Sequence, residues 1–341
     1  MESVSDYNLL WGLLIVLLVI IGFYLIRAFL RLSDNLTSDK EINCDEIRYP
    51  YRSTARIEVL GQCRDYIIHV PPNHFEAPLP AILAFHGGQG NGRLFALQTG
   101  FSRLARQEGF IVVYPNAIGL WNDGRNTTAL GPDDIAFTRA LIDELINNYG
   151  IDRKRVYATG ASNGGMMILR LACELHDRIA AFAAVIASMP VGYICPPGPP
   201  VPIMLINDVE DCYIPWDGGN VRTGFARGAG GKVISVPDNV RYWQRRNGCG
   251  PSISPELIHV WENPSTEGEG RRSLSVEIHR FQKCKAGAEL VFVRVQGGGH
   301  SWLGGREDFL NPVENMAVEK NRSINATVLI WNFLRGHVLS G

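Results

Sequence analysis

The sequence predicts an α/β fold, a mostly parallel central sheet flanked by helices, preceded by one N-terminal transmembrane helix. Short apolar runs alternate with helix-length stretches, and strands joined by such crossovers lie parallel, covered on both faces. Residues 9–26 read LLWGLLIVLLVIIGFYLI, without a single charge. Of 341 residues 46% are hydrophobic and 20% charged, enough apolar surface for a large core and far too much for a solvated coil. Thirty-three basic side chains balance 34 acidic ones, so no basic excess exists to neutralise nucleic-acid phosphates.

Taken in chain order, the apolar segment comes first. As a helix it is roughly 27 Å long, close to the ~30 Å hydrocarbon core of a bilayer. No small-x-small cleavage pattern follows it, which favours an uncleaved anchor over a removed signal. Residues 1–32 are therefore expected to be a membrane anchor, 33–46 a polar linker, and 47–341 the folded domain. Glu2 and Asp6 precede the segment while Arg27 and Arg31 follow it. By the positive-inside rule those charges place the bulk of the chain in the cytoplasm.

Within the domain, strands are expected at 81–85, 110–114, 155–159, 202–206 and 290–295, and helices at 135–149 and 166–175. Function in such a sheet sits beyond the carboxyl ends of the strands. The third of these strands runs into Gly160-Ala161-Ser162-Asn163-Gly164-Gly165 and then a helix. This is G-x-S-x-G in its strand–turn–helix context, where a serine on a strained turn needs small neighbours. Gly160 and Gly164 supply them, and the helix beginning at Asn163 points its amides at the serine oxygen. Ser162 is the expected nucleophile.

The first of these strands leads into His86-Gly87-Gly88-Gln89-Gly90-Asn91-Gly92. Acyl transfer needs fixed N–H donors where an oxyanion develops, and an HGG loop provides them together with the amide after the nucleophile. Gly88 and Asn163 are the expected donors, with His86 and Gly87 shaping the loop. A phosphate loop is the rival reading, but Arg93-Leu94 stands where Lys-Ser/Thr would hold phosphate and magnesium.

A general base should come last in the chain. His300, in Gly297-Gly298-Gly299-His300-Ser301-Trp302 after the last strand, fits that place. His337 reads as an ordinary surface residue of a C-terminal helical stretch. For the acid, Asp208, Glu210 and Asp211 compete after the 202–206 strand, and spacing alone does not choose among them.

Together these residues resemble the polyhydroxybutyrate depolymerase-like esterases, α/β-hydrolases related to feruloyl and acetylxylan esterases. The likeness extends from about Arg64 to Gly305. Besides the HGG loop it includes Gly109-Phe110-Ile111-Val112-Val113-Tyr114-Pro115, Trp121-Asn122 and Asp133-Asp134-Ile135-Ala136-Phe137. It continues through RVYATGASNGGMM, Asp211 with Ile214-Pro215-Trp216, Asn247-Gly248-Cys249 and GGGHSW. The resemblance implies a triad of Ser162, Asp211 and His300. It also implies disulfides Cys249–Cys284 and Cys173–Cys195, with Cys44 and Cys63 available for a third and Cys212 left over. The family writes its acid loop H-G-T-x-D, where this chain has Asn207-Asp208-Val209-Glu210-Asp211, and Leu303 replaces a proline after GGGHSW.

Paired cysteines need an oxidising compartment. On that ground the domain is expected on the extracytoplasmic side, periplasmic or extracellular, against the flanking charges; a secreted or a cytoplasm-facing protein is the alternative. No C-x-x-C or Cys/His spacing suits zinc, and no metal or cofactor is expected. The expected function is a serine carboxylic ester hydrolase acting on hydroxyalkanoate oligomers or related small esters. A feruloyl or acetyl esterase on polysaccharide is one alternative, and a catalytically silent, membrane-tethered binding module is another. The expected partners are the ester substrate and the membrane, with no nucleic acid.

Overall fold

Several runs in this sequence are apolar at every position rather than every second one, and they become strands buried on both faces. In the computed structural model, which describes residues 53–72, 78–222, 230–262, 273–305 and 324–339, Ile111–Pro115 is buried along its whole length. The chain divides into two compact units, Met1–Cys44 and Asp45–Gly341, and all described residues belong to the second. The apolar segment 9–26, the linker 33–46 and Cys44 lie outside the described residues. Among the described residues no helix is long and apolar enough to cross a membrane.

The strands in chain order are β1 (Ser53–Val59), β2 (Gln62–His69), β3 (Leu79–Phe85), β4 (Ile111–Pro115), β5 (Ile151–Ala161), β6 (Ala181–Val185) and β7 (Ile203–Asp208). A two-stranded ribbon of β8 (Gly219–Asn220) and β9 (Lys232–Val233) follows, then β10 (Glu256–Glu262), β11 (Ser273–Arg280) and β12 (Leu290–Gln296). The helices are α1 (Gly92–Thr99), α2 (Phe101–Glu108), α3 (Asp134–Tyr149), α4 (Asn163–Glu174), α5 (Val236–Asn247) and α6 (Ala326–Leu334).

Among the described residues the main sheet runs β1-β2-β4-β3-β5-β6-β7-β12-β11-β10. Its centre, from β4 to β12, is parallel, and an antiparallel hairpin extends each side. Successive residues of β3 face opposite sides. Ala81, Leu83 and Phe85 join a core with α3, α4 and α5, while Ile82 and Ala84 join a core with α1, α2 and α6.

The order places the site. From β3 the chain moves outward to β4, then returns across β3 to β5, so the winding direction reverses between β3 and β5. Crevices open at such reversals beyond the carboxyl ends of the strands. The HGG loop leaves β3 there, and the G-x-S-x-G turn leaves β5. β7 and β12 are hydrogen-bonded neighbours, with Val295 opposite Asp208, so the acid loop and the GGGH loop begin side by side.

The expected strands and helices all form, with ends shifted by a few residues. β6, AFAAV, carries no periodic signal; its small side chains fit between two buried neighbours rather than forming a helix. One expectation is corrected. His337 is not an ordinary surface residue but lies beyond the end of α6 with its side chain 12% exposed, its carbonyl accepting the Tyr157 hydroxyl at 2.8 Å.

Candidate active site

Ser162 stands between β5 and α4 with φ 55° and ψ −121°, a backbone conformation that costs a non-glycine residue energy and that only its surroundings can enforce. Those surroundings admit nothing larger than glycine. A Cβ at Gly160 would lie 2.7 Å from the carbonyl of Gly164, and one at Gly164 would overlap the carbonyl oxygens of Phe85 and His86. The turn is closed by Ser162 N–H donating to Val185 O at 3.0 Å and Met166 N–H donating to Ser162 O at 2.8 Å.

The HGG loop packs directly on this turn. A Cβ at Gly87 would be 3.5 Å from Ser162 Cβ, and one at Gly88 would be 3.9 Å from Asn163 Cβ and 3.2 Å from Leu120 Cδ2. His86 is buried beneath the loop. Its Nε2 accepts from Ala117 N–H at 3.2 Å, so Nδ1 carries the proton and donates to Gly87 O at 2.7 Å. Burial pushes the His86 pKa below the ordinary histidine value, which keeps this arrangement neutral.

On the far side, Asp211 Oδ2 lies 2.8 Å from His300 Nδ1. The other oxygen, Oδ1, accepts the amides of Tyr213 and Ile214, each at 2.8 Å. The Asp211 side chain is 2% exposed and that of His300 18%. The three carboxylates that spacing left in competition are thus told apart by position. Asp211 faces the imidazole, Glu210 is exposed, and Asp208 is buried under the neighbouring loop. Ser162 and His300 line one open cleft of about 140 Å³, together with Gly88, Leu94, Phe95 and Ile186.

The profile of the Prolyl oligopeptidase family matches residues 98–194. Putative esterase NocK of Nocardia uniformis subsp. tsuyamanensis is 30% identical over 74% of this chain and 75% of its own length. The chain belongs to the α/β-hydrolase esterases. Feruloyl esterase B of Piromyces equi is 25% identical over 65% of the chain, and the bifunctional acetylxylan esterase/xylanase XynS20E of Neocallimastix patriciarum 32% identical over 71%. Of those two longer proteins the esterase matches only 39% and 31% of the length.

Around its cleft this esterase carries residues that spacing alone did not single out. The side chain of Asn163 turns away from the cleft, accepting Trp121 N–H at 2.9 Å and donating to Trp121 O at 3.0 Å and Asp123 Oδ2 at 2.7 Å. Asp123 in turn pairs with Arg125, both buried, and accepts Thr128 Oγ1 at 2.9 Å. Arg125 Nη1 donates to Gly230 O. A WND-GR run with both charges buried is legible afterwards as a structural pair, but nothing local to it forecasts contact with Asn163. Ile186, at φ 45°, is a second strained residue in the cleft wall, and a β-branched side chain reaches that region only under constraint.

The disulfides Cys173–Cys195 and Cys249–Cys284 are present, Cys63 is also disulfide-bonded, and Cys212 keeps an exposed thiol. The first bridge ties the end of α4 to the loop after β6, and the second ties the end of α5 to the turn between β11 and β12.

Proposed function

We propose that this esterase works through an acyl-enzyme on Ser162, with His300 as general base and Asp211 as the residue that orients it. The observation that carries the reading is the 2.8 Å contact of buried Asp211 Oδ2 with His300 Nδ1, the imidazole lining the same cleft as the strained serine. An imidazole whose Nδ1–H donates a hydrogen bond to a carboxylate has its Nε2 unprotonated, ready to take the serine proton and return it to the leaving alcohol. The buried carboxylate stabilises the imidazolium formed on the way. The amides of Gly88 and Asn163 are the proposed oxyanion donors, supported by the close packing of the two loops. Asn163 also begins α4, whose positive end faces the developing charge. Water activated by His300 then releases the acid.

For the substrate we infer a small ester, with hydroxyalkanoate oligomers supported by the residue pattern from Arg64 to Gly305. A second reading, acetyl or feruloyl esters on polysaccharide, is favoured by what the fungal relatives are named for. Residues 1–32 are proposed as a membrane anchor on the strength of the uncharged segment, with the domain extracytoplasmic. The disulfides support that side, because such bridges persist in oxidising compartments.

Hydrolysis of p-nitrophenyl esters by the full chain and its Ser162→Ala variant tests the chemistry. The variant is expected to lose at least roughly 10³-fold in kcat and all labelling by a fluorophosphonate. A variant that hydrolyses like the wild type would remove Ser162 from the mechanism. Turnover of hydroxybutyrate oligomers set beside acetylated and feruloylated oligosaccharides decides the substrate, and exclusive turnover of the sugars would reject the hydroxyalkanoate reading.

A further inference from the structure

Asp208 is a buried carboxylate that the proposed chemistry does not use. It ends β7, is 3% exposed, and sits among Ile186, Ile206, Val295 and Leu303. Both of its oxygens are committed to backbone. Oδ1 accepts Glu210 N–H at 2.6 Å, in the acid loop. Oδ2 accepts Gly298 N–H at 2.7 Å, in the loop that carries His300, and Gly299 N–H adds a further hydrogen bond to the carboxylate.

The surroundings make these contacts consequential. Three glycines in a row, Gly297, Gly298 and Gly299, have no side chains with which to hold their own turn, and Gly297 and Gly299 take φ 91° and 63°. Beyond His300 the loop is anchored by Trp302, whose Nε1 donates to Thr327 Oγ1 at 3.0 Å and whose ring meets Phe95 and Phe101 edge-on. Before His300 the described side-chain ties to this turn are Asp208 and Ser301, which donates to Gly298 O at 2.8 Å. Of the two, Asp208 alone connects the turn to the acid loop. A negatively charged acceptor makes stronger hydrogen bonds to amides than a neutral one, and one carboxylate spanning both loops sets the distance between them.

We propose that Asp208 is a positioning residue for His300, clamping the glycine turn to the acid loop so that the imidazole stays on Asp211. The inference rests on the assignment of His300 as the base. A clamp of this kind acts on the alignment of base and nucleophile and not on substrate binding. Its loss therefore lowers kcat and leaves KM alone, and a misplacement of about 1 Å costs on the order of 100-fold.

The experiment uses the full chain, p-nitrophenyl acetate and four variants. Asp208→Ala is expected to lower kcat roughly 10- to 100-fold with KM within about twofold. It is also expected to shift or broaden the downfield NMR signal of the His300 Nδ1 proton. Asp208→Asn, with one acceptor oxygen left for Gly298, is expected to recover part of the loss. A Cβ at Gly298 would stand 3.1 Å from Asp208 Oδ2. Gly298→Ala therefore disturbs the same contact with the carboxylate intact and should reproduce the kcat loss, which keeps the test valid if Asp208→Ala does not fold. Wild-type kcat in Asp208→Ala, or in Gly298→Ala where the former is unfolded, would overturn the proposal. So would a kcat loss with the His300 signal unchanged. His300→Ala separates the two levels: if it still hydrolyses, the base assignment fails, whereas an inactive His300→Ala beside a fully active Asp208→Ala rejects the clamp alone.

Discussion

In the proposed mechanism Asn163 offers its backbone amide to the oxyanion, while its side chain is turned to the interior. The amide direction is fixed because the carboxamide is held between Trp121 and Asp123, and Asp123 is held in turn by Arg125 and Thr128. A donor fixed in this way needs no reorganisation when charge develops, which is the usual source of an oxyanion hole's effect. Asp208 illustrates the cost of such fixing. Burial, helped by nearby Glu210, pushes its pKa up from the ordinary 3.8 to about 6, against the opposing pull of the backbone amides. Between those values the folded protein holds a proton that the unfolded chain releases. The contribution of Asp208 to stability is therefore greatest below about pH 4 and is lost as pH rises through 6. Asp208→Asn removes that dependence. Denaturant unfolding at pH 4 and pH 7 is expected to show the variant gaining about 2 kcal/mol on the wild type between the two. An unchanged difference would mean that Asp208 ionises in the folded state as it does in the unfolded chain.

Elements meet at this site through glycines and bridges. β5 can pass into α4 beneath the HGG loop only because Gly160 and Gly164 leave room for backbone carbonyls, so a glycine pattern in the sequence becomes a packing contact in the fold. The two described disulfides join helix ends to loops at separations of 22 and 35 residues. Closing loops of that size restricts the unfolded chain and is worth about 3 kcal/mol per bridge. Denaturant titration with and without reductant checks this, and the reduced protein is expected to unfold at clearly lower denaturant. Equal midpoints would mean that packing of α4 and α5 alone holds those helix ends. The outer elements were less legible. α1, α2 and α6 are short, and each buries a few large side chains such as Phe95, Phe101 and Trp331 against strands distant in sequence. Their apolar residues acquire meaning only beside those partners.

At the scale of the molecule, the described residues form one main sheet with helices on both faces, and the HGG, G-x-S-x-G, acid and GGGH loops all leave the carboxyl ends of its strands. The proposed anchor makes a separate demand. An uncharged segment of this length inserts into a bilayer as a helix with its backbone internally bonded. The full chain is expected to remain with membranes after alkaline carbonate extraction, and a chain lacking residues 1–32 to leave them. Extraction of the full chain would reject the anchor without bearing on the esterase site.

Taken alone, the sequence determined the parallel α/β core, the strand–turn–helix setting of Ser162 and the loops bearing Gly88 and His300. Those features are local: an all-apolar run, a glycine spacing and a strand–turn–helix order are readable without knowing what lies across the sheet. Spacing left Asp208, Glu210 and Asp211 open, and the family resemblance pointed to Asp211. The contact itself is visible only in the tertiary structure, where the pairing of β7 with β12 separates three carboxylates that differ by a few residues in one loop. The tertiary structure also decided the inward turn of the Asn163 side chain and the burial of Asp123 with Arg125. A charge written in the sequence does not say whether it will face water or another charge, since that depends on partners which folding brings from elsewhere in the chain.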